Sequence, residues 1–129
     1  MLTSVKISNS GENLPIRGAL TCTTPNIVYI VTCSKSDRVC PNCPQYCGES
    51  GKTAEKRFTG HRDTITQQCH ATTTLPVGEH FRLPGHSVSD LVFTPVEKIY
   101  SDNIFVRKVR ERRLINDLDL INSGLNKKL

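Results

Sequence analysis

Cys40-Pro-Asn-Cys43 places two thiols at the spacing with which one turn of chain can present both sulfurs to a single tetrahedral zinc ion. A second pair with ligand chemistry follows: His80 and His86, separated by five residues and bent around Pro84-Gly85. Cys33 lies seven residues before Cys40, across a segment that reads as a hairpin loop. Two thiolates and two imidazoles are therefore available for a closed structural site. Cys22, Cys47 and Cys69 bring the cysteines to six, an even count that would also suit disulfides in an oxidising compartment. Zinc, disulfides and unliganded thiols all fit this spacing.

The charged residues suggest a second chemistry. Seventeen Lys and Arg against 12 Asp and Glu leave a net charge of +5, with an isoelectric point of about 9.0. Arg107, Lys108, Arg110, Arg112 and Arg113 crowd one stretch, and Lys52, Lys56, Arg57 and Arg62 line another. Such clusters suit nucleic acid or an anionic membrane surface, and equally two solvated helix faces.

These groups must be positioned by a chain of 129 residues, within the usual range for one domain. An apolar fraction of 36% with 22% charged residues excludes collagen-like and wholly disordered chains. The best apolar run, Ile27 to Thr32, is of strand length, so no membrane span is expected. Met1-Leu2-Thr3-Ser4-Val5-Lys6 lacks the apolar core of a secretory signal, and Asn-x-Ser/Thr is absent. The expectation is an intracellular, non-secreted domain.

Residues 1–21, polar and interrupted by Asn-Ser-Gly and Pro15, read as a flexible N-terminal arm, with the domain proper over 22–129. Ile27-Val28-Tyr29-Ile30-Val31-Thr32, apolar on both faces, predicts a central strand. A short partner follows at Gln45 to Gly48. A helix begins at Thr53, with Ala54, Phe58 and Ile65 on its apolar stripe. Ala71 to Pro84 reads as loop, and Asp90 to Val96 as a third strand, with Pro95 marking either a sheet edge or the strand's end. From Asn103 to Asn122 a second helix carries Val106, Val109, Leu114, Leu118 and Ile121 beside its basic face, and Ser123-Gly124 stops it. The fold class expected is α+β: a small antiparallel three-stranded sheet flanked by helices, with an added zinc-binding loop.

The motif order then resembles a family. Ile27-Val28-Tyr29, followed by Tyr46-Cys47-Gly48, resembles the paired motifs of GIY-YIG endonucleases, with Ile27 for the first glycine and Cys47 for the aliphatic middle residue. Glu55 to His61 resembles the family helix bearing an Arg and, one turn later, a His. Arg110-Glu111-Arg112 resembles the helix bearing the metal-binding Glu, although Arg113-Leu114 stands where an aromatic pair is usual. Gly124-Leu125-Asn126 resembles the terminal Asn. Thr32-Cys33, Gly78-Glu79-His80-Phe81 and Leu83-Pro84-Gly85-His86 narrow the likeness to the endonuclease domain of Penelope-like retroelements.

The resemblance implies catalytic roles for Tyr29, Tyr46, Arg57, His61, Glu111 and Asn126, in nicking DNA for reverse transcription. Glu111 would hold a catalytic Mg²⁺ or Mn²⁺, a hard cation suited to a carboxylate. Arg57 would offer a planar fork to a phosphate, and Tyr29 would help deprotonate the water. A structural Zn²⁺ would sit on Cys33, Cys43, His80 and His86, with Cys40 the alternative to Cys43, which lies closer to the second motif. Lys52, Lys56, Arg62, Arg107, Lys108, Arg110 and Arg112 would contact DNA. The implied setting is nuclear, with a fused or associated reverse transcriptase. The competing expectation is a zinc-stabilised nucleic-acid-binding module that has lost catalysis.

Overall fold

The computed structural model describes residues 4–18, 20–35, 40, 44–66 and 76–127. Its elements run β1 (Ser4–Lys6), β2 (Asn13–Pro15), β3 (Ile27–Cys33), β4 (Gln45–Ser50), α1 (Ala54–Thr66), α2 (Pro76–Phe81), a 3₁₀ turn (Val88–Asp90), β5 (Leu91–Lys98) and α3 (Ile104–Asp117). The fold is α+β. A three-stranded antiparallel sheet in the order β4-β3-β5 lies at its centre.

The doubly apolar sequence of β3 explains its place. Successive side chains of a strand point to opposite faces, so Ile27, Tyr29, Val31 and Cys33 enter one core and Val28 and Ile30 the other. On the first face they meet Ala54 and Ile65 of α1 and Val77 and Phe81 of α2. On the second they meet Leu114 and Ile115 of α3 and Leu120 beyond it. Pro95 sits on the edge strand β5, whose register against β3 slips between Val28 and Tyr29, so its missing N–H breaks no interior ladder.

Four local readings change in three dimensions. The segment read as a flexible arm carries the β1–β2 hairpin. Ile7 is buried, Ser8 N–H donates to Gln45 Oε1, and Arg17 bridges to Glu97 on the outer edge of β5. Part of the expected 71–84 loop is α2, started by Pro76 at its first position, where a missing N–H costs nothing, and held by buried Val77 and Phe81. Residues 71–75 lie outside the described ones. The second strand runs on to Ser50 because Ile27 and Val28 extend the ladder to Ser50 and Glu49.

The last difference concerns α3. It ends at Asp117, since Asp119 takes φ 55° and turns the chain, rather than continuing to Asn122. Its inward face also differs from the expected stripe. Val106 and Val109 face solvent, whereas Arg107, Leu114 and Ile115 are buried. Arg107 can point inward because Glu49 and Asn26 satisfy it, as shown below. Among the described residues no helix is long and apolar enough to cross a membrane.

Candidate active site and metal centre

Two clusters of reactive side chains form on the sheet, and β3 contributes to both. Tyr29, at its centre, is fully buried and stacks on Phe93 of β5 with ring centroids 4.6 Å apart. Its hydroxyl accepts from Arg57 Nε at 2.9 Å and lies 2.8 Å from His61 Nε2. Arg57 and His61 are four residues apart on α1, so one helix face delivers both to the same oxygen. Burial, reinforced by the Arg57 charge, lowers the His61 pKa to about 3, so the ring is neutral at physiological pH. Among the described contacts, His61 Nε2 is the acceptor within reach of the Tyr29 proton. This assigns Tyr29 as donor to Nε2 and places the ring proton on Nδ1. Burial raises the Tyr29 pKa far above the ordinary phenol range, against the opposing pull of Arg57.

Tyr46 on β4 completes the aromatic wall, its centroid 6.5 Å from that of Tyr29 and 6.1 Å from that of His61. Unlike Tyr29 it is partly exposed, so its hydroxyl is the more accessible of the two. Burial and then the negative charge of Glu111 raise its pKa as well. Glu111 projects from α3 toward β4 and is half-buried. Partial burial raises its pKa, Lys108 opposes that, the Glu49 carboxylate adds to it, and the backbone N–H of Glu49 stabilises the ionised form.

Asn126 has a structural role more definite than its sequence position suggests. It is buried, its Oδ1 accepts from Cys47 N–H at 2.8 Å, and its Nδ2 donates to the Cys47 carbonyl at 2.9 Å. The amide thereby supplies the free edge of β4 with the pair of bonds a neighbouring strand would give. Asn126 braces Tyr46 through the next residue.

The basic residues divide into two groups. Lys52, Lys56, Arg62 and Arg112 are exposed. Arg107 is buried, donating from Nε to Glu49 at 2.8 Å and from a terminal nitrogen to Asn26 at 3.0 Å. Lys108 pairs with the same Glu49 carboxylate at 3.2 Å. Arg110 makes a bidentate fork to Glu97, at 2.7 and 2.8 Å. Gly48 stands in the second sequence motif, Tyr46-Cys47-Gly48, but spacing gives no role to it, to Glu49 or to Asn26, because their importance comes from what lies across the sheet.

The second cluster gathers Cys33, Cys40, His80 and His86, whose ligand atoms all lie within 4.8 Å of one another. A regular zinc tetrahedron with bonds near 2.3 Å to sulfur and 2.0–2.1 Å to nitrogen has edges of about 3.8 Å between sulfurs and about 3.6 Å between sulfur and nitrogen. The observed Cys33 Sγ–Cys40 Sγ and Cys40 Sγ–His80 Nε2 separations are both 3.6 Å. His86 Nδ1 lies 3.3 Å from the Pro84 carbonyl, leaving Nε2 buried with no hydrogen-bond partner among the described residues. A backbone carbonyl on one ring nitrogen and an orphaned lone pair on the other is the usual arrangement of a ligating histidine. The cluster could hold a metal such as zinc. Cys43 lies outside the described residues, and Cys40 is the thiol brought to the cluster.

The chain matches no protein-family model, no curated protein and no solved structure. The order of the sequence motifs and the geometry of the two clusters are therefore what point to a function.

Proposed function

We propose that the chain is a metal-dependent DNA endonuclease of the GIY-YIG type, belonging to a retroelement and held in shape by a structural zinc. The observation that carries this reading is the meeting of Arg57 and His61 at the Tyr29 hydroxyl, with the Tyr46 ring 6.5 Å from that of Tyr29 and Glu111 near enough for its charge to act on both tyrosines. A phosphodiester needs a cationic fork, proton-transfer groups and a hard metal ligand at one place. These residues supply all three.

Glu111 fits a divalent cation: a half-buried carboxylate beside a second one, Glu49, has a raised proton affinity that a cation would relieve. Mg²⁺ or Mn²⁺ bound there would neutralise charge on the phosphate and lower the pKa of a bound water. Arg57 spends Nε on Tyr29, which orients the guanidinium and leaves its terminal nitrogens for a non-bridging phosphate oxygen. Tyr46 positions the attacking water, which bonds to phosphorus as the 3′ oxygen leaves and takes up a proton to become a 3′-hydroxyl. Tyr29, fully buried, acts through Arg57 and His61 instead of touching the water. Exposed Lys52, Lys56 and Arg62 hold the flanking phosphates. The 3′-hydroxyl would serve a fused or associated reverse transcriptase in the nucleus.

The zinc is structural in this reading, because Cys33, Cys40, His80 and His86 fill all four positions. It would tie the segment after β3 to α2. Supercoiled plasmid incubated with Mg²⁺ tests the whole reading: nicked circles are expected from the wild type and none from Glu111→Gln or Arg57→Ala, with Arg57→Lys recovering little. Plasmid retained by the protein but never nicked would replace the reading with a nucleic-acid-binding module.

A further inference from the structure

Asn26, the residue before β3, has φ 53°, a left-handed conformation that it shares with only one other non-glycine residue among the described ones. That backbone is costly for most L residues and least so for Asn and Asp. It persists where the surroundings impose it, and here three partners do. The Asn26 carbonyl accepts from Ile99 N–H at 2.8 Å, its Nδ2 donates to Asp102 Oδ1 at 2.9 Å, and its Oδ1 accepts from Arg107 at 3.0 Å. One bond goes to the end of β5, one to the residue before the N-cap of α3, and one into α3 itself. Arg107 passes the constraint on. Its Nε donates to Glu49, and a Cβ on Gly51 would stand 3.1 Å from one of its terminal nitrogens. A guanidinium closed in on three sides fixes the turn of helix that bears it.

Glu111 stands four residues after Arg107, on the same face of α3. Both meet one residue of β4: Glu49 takes Arg107 with its carboxylate and Glu111 with its backbone N–H. Asn126 fills the free edge of that strand two residues earlier, at Cys47, so Glu49 is the next N–H the edge presents. The chain of contacts thus runs Asp102, Asn26, Arg107, Glu49, Glu111, and closes through α3. We infer that Asn26 is a positioning residue for the metal carboxylate: through Arg107 and Glu49 it fixes where Glu111 presents its oxygens. The inference rests on the reading of Glu111 as the ligand of Mg²⁺ or Mn²⁺. A carboxylate on a loosely held helix searches many placements before it meets a cation. One that is locked a turn earlier and bonded to β4 has its remaining lone pairs already aimed. Removing an outer partner of this kind lowers metal affinity by about 10-fold to about 100-fold.

Mn²⁺ binding to the full chain, followed by the paramagnetic resonance of the free ion, tests this without any nicking, with Glu111→Gln as the blank. Asn26→Gly keeps the positive φ at no steric cost and removes only the amide. It should weaken the Glu111-dependent binding by about tenfold or more. Asn26→Asp, which sets a carboxylate against Asp102, should weaken it as well. Combining Asn26→Asp with Asp102→Asn returns a donor to the pair from the other side and should restore the affinity. Val77→Ala, a truncation in the other core, should lower the urea midpoint and leave Mn²⁺ binding unchanged. Wild-type affinity in Asn26→Gly, no recovery in the double variant, or an equal loss in Val77→Ala would each overturn the inference while leaving Glu111 as the ligand. A wild type that binds no more Mn²⁺ than Glu111→Gln would overturn the metal reading itself, and this inference with it.

Discussion

Gly48 lies directly opposite Tyr29 across the β3–β4 ladder, and a Cβ built on it would stand 2.5 Å from Tyr29 Cζ. The buried phenol passes over the bare backbone of β4 because this one position has no side chain. The hydrogen bonds of Tyr29 to Arg57 and His61 depend on that space.

Gly48→Ala should therefore displace the Tyr29 ring. Overpacking of this kind costs about 1–3 kcal/mol, read as a lowered urea midpoint. Nicking should fall further than the stability loss alone would cause, because Arg57 loses the oxygen that orients it. An alanine variant of wild-type stability and activity would show that the ring moves freely.

Acid should destabilise the fold through His61. Its folded pKa, about 3, lies below the ordinary histidine value of 6.5. Below about pH 6.5 the unfolded chain takes up a proton that the native chain refuses, so this contribution is present above that pH and lost as pH falls toward 3. The slope should approach about 1 kcal/mol per pH unit between about pH 6 and about pH 4. Urea melts across that range should show it in the wild type and a shallower slope in His61→Gln. Equal slopes would mean that His61 protonates freely in the native state.

Metal content separates the two candidate thiols. Cys40→Ser and His86→Ala should lose one equivalent of zinc by mass spectrometry and melt well below the wild type, because metal binding here is also folding free energy. Cys43→Ser should keep both metal and melting temperature. Retention of zinc by Cys40→Ser would move the fourth ligand to another thiol.

The Arg107–Glu49 pair should prove structural. Arg107→Met leaves a largely buried carboxylate with Lys108 as its remaining ion pair, at a cost of about 3 kcal/mol. Glu49→Gln combined with Arg107→Met should recover much of that by removing the stranded charge. DNA affinity should change little in either, since Arg107 is buried against the sheet. A tenfold loss of DNA affinity with unchanged stability would return Arg107 to the binding surface.

The β-branched, doubly apolar run Ile27–Thr32 is enough to identify a central strand, because such a segment can satisfy itself only between two covering layers. Pro95 confines its strand to an edge or an end, since it has no N–H for a second neighbour, and the sheet order decides for the edge. The CxxC knuckle and the His80–His86 pair mark candidate metal ligands by spacing, which disulfides or unliganded thiols would fit as well. Other features required contacts between residues far apart in the chain. Nothing in the order of residues says that Cys40 is the thiol meeting Cys33, or that Pro76 opens a helix inside an expected loop. The stripe read into α3 turned outward at Val106 and Val109 because Arg107 found Glu49 and Asn26, 58 and 81 residues away in sequence. Of the two tyrosines, Tyr29 is sealed and Tyr46 partly open, because central β3 is covered on both sides while β4 lies at the edge. Periodicity records which residues avoid water on average. Whether a particular polar group can leave water is decided by the partner waiting for it, and only the tertiary structure supplies that partner.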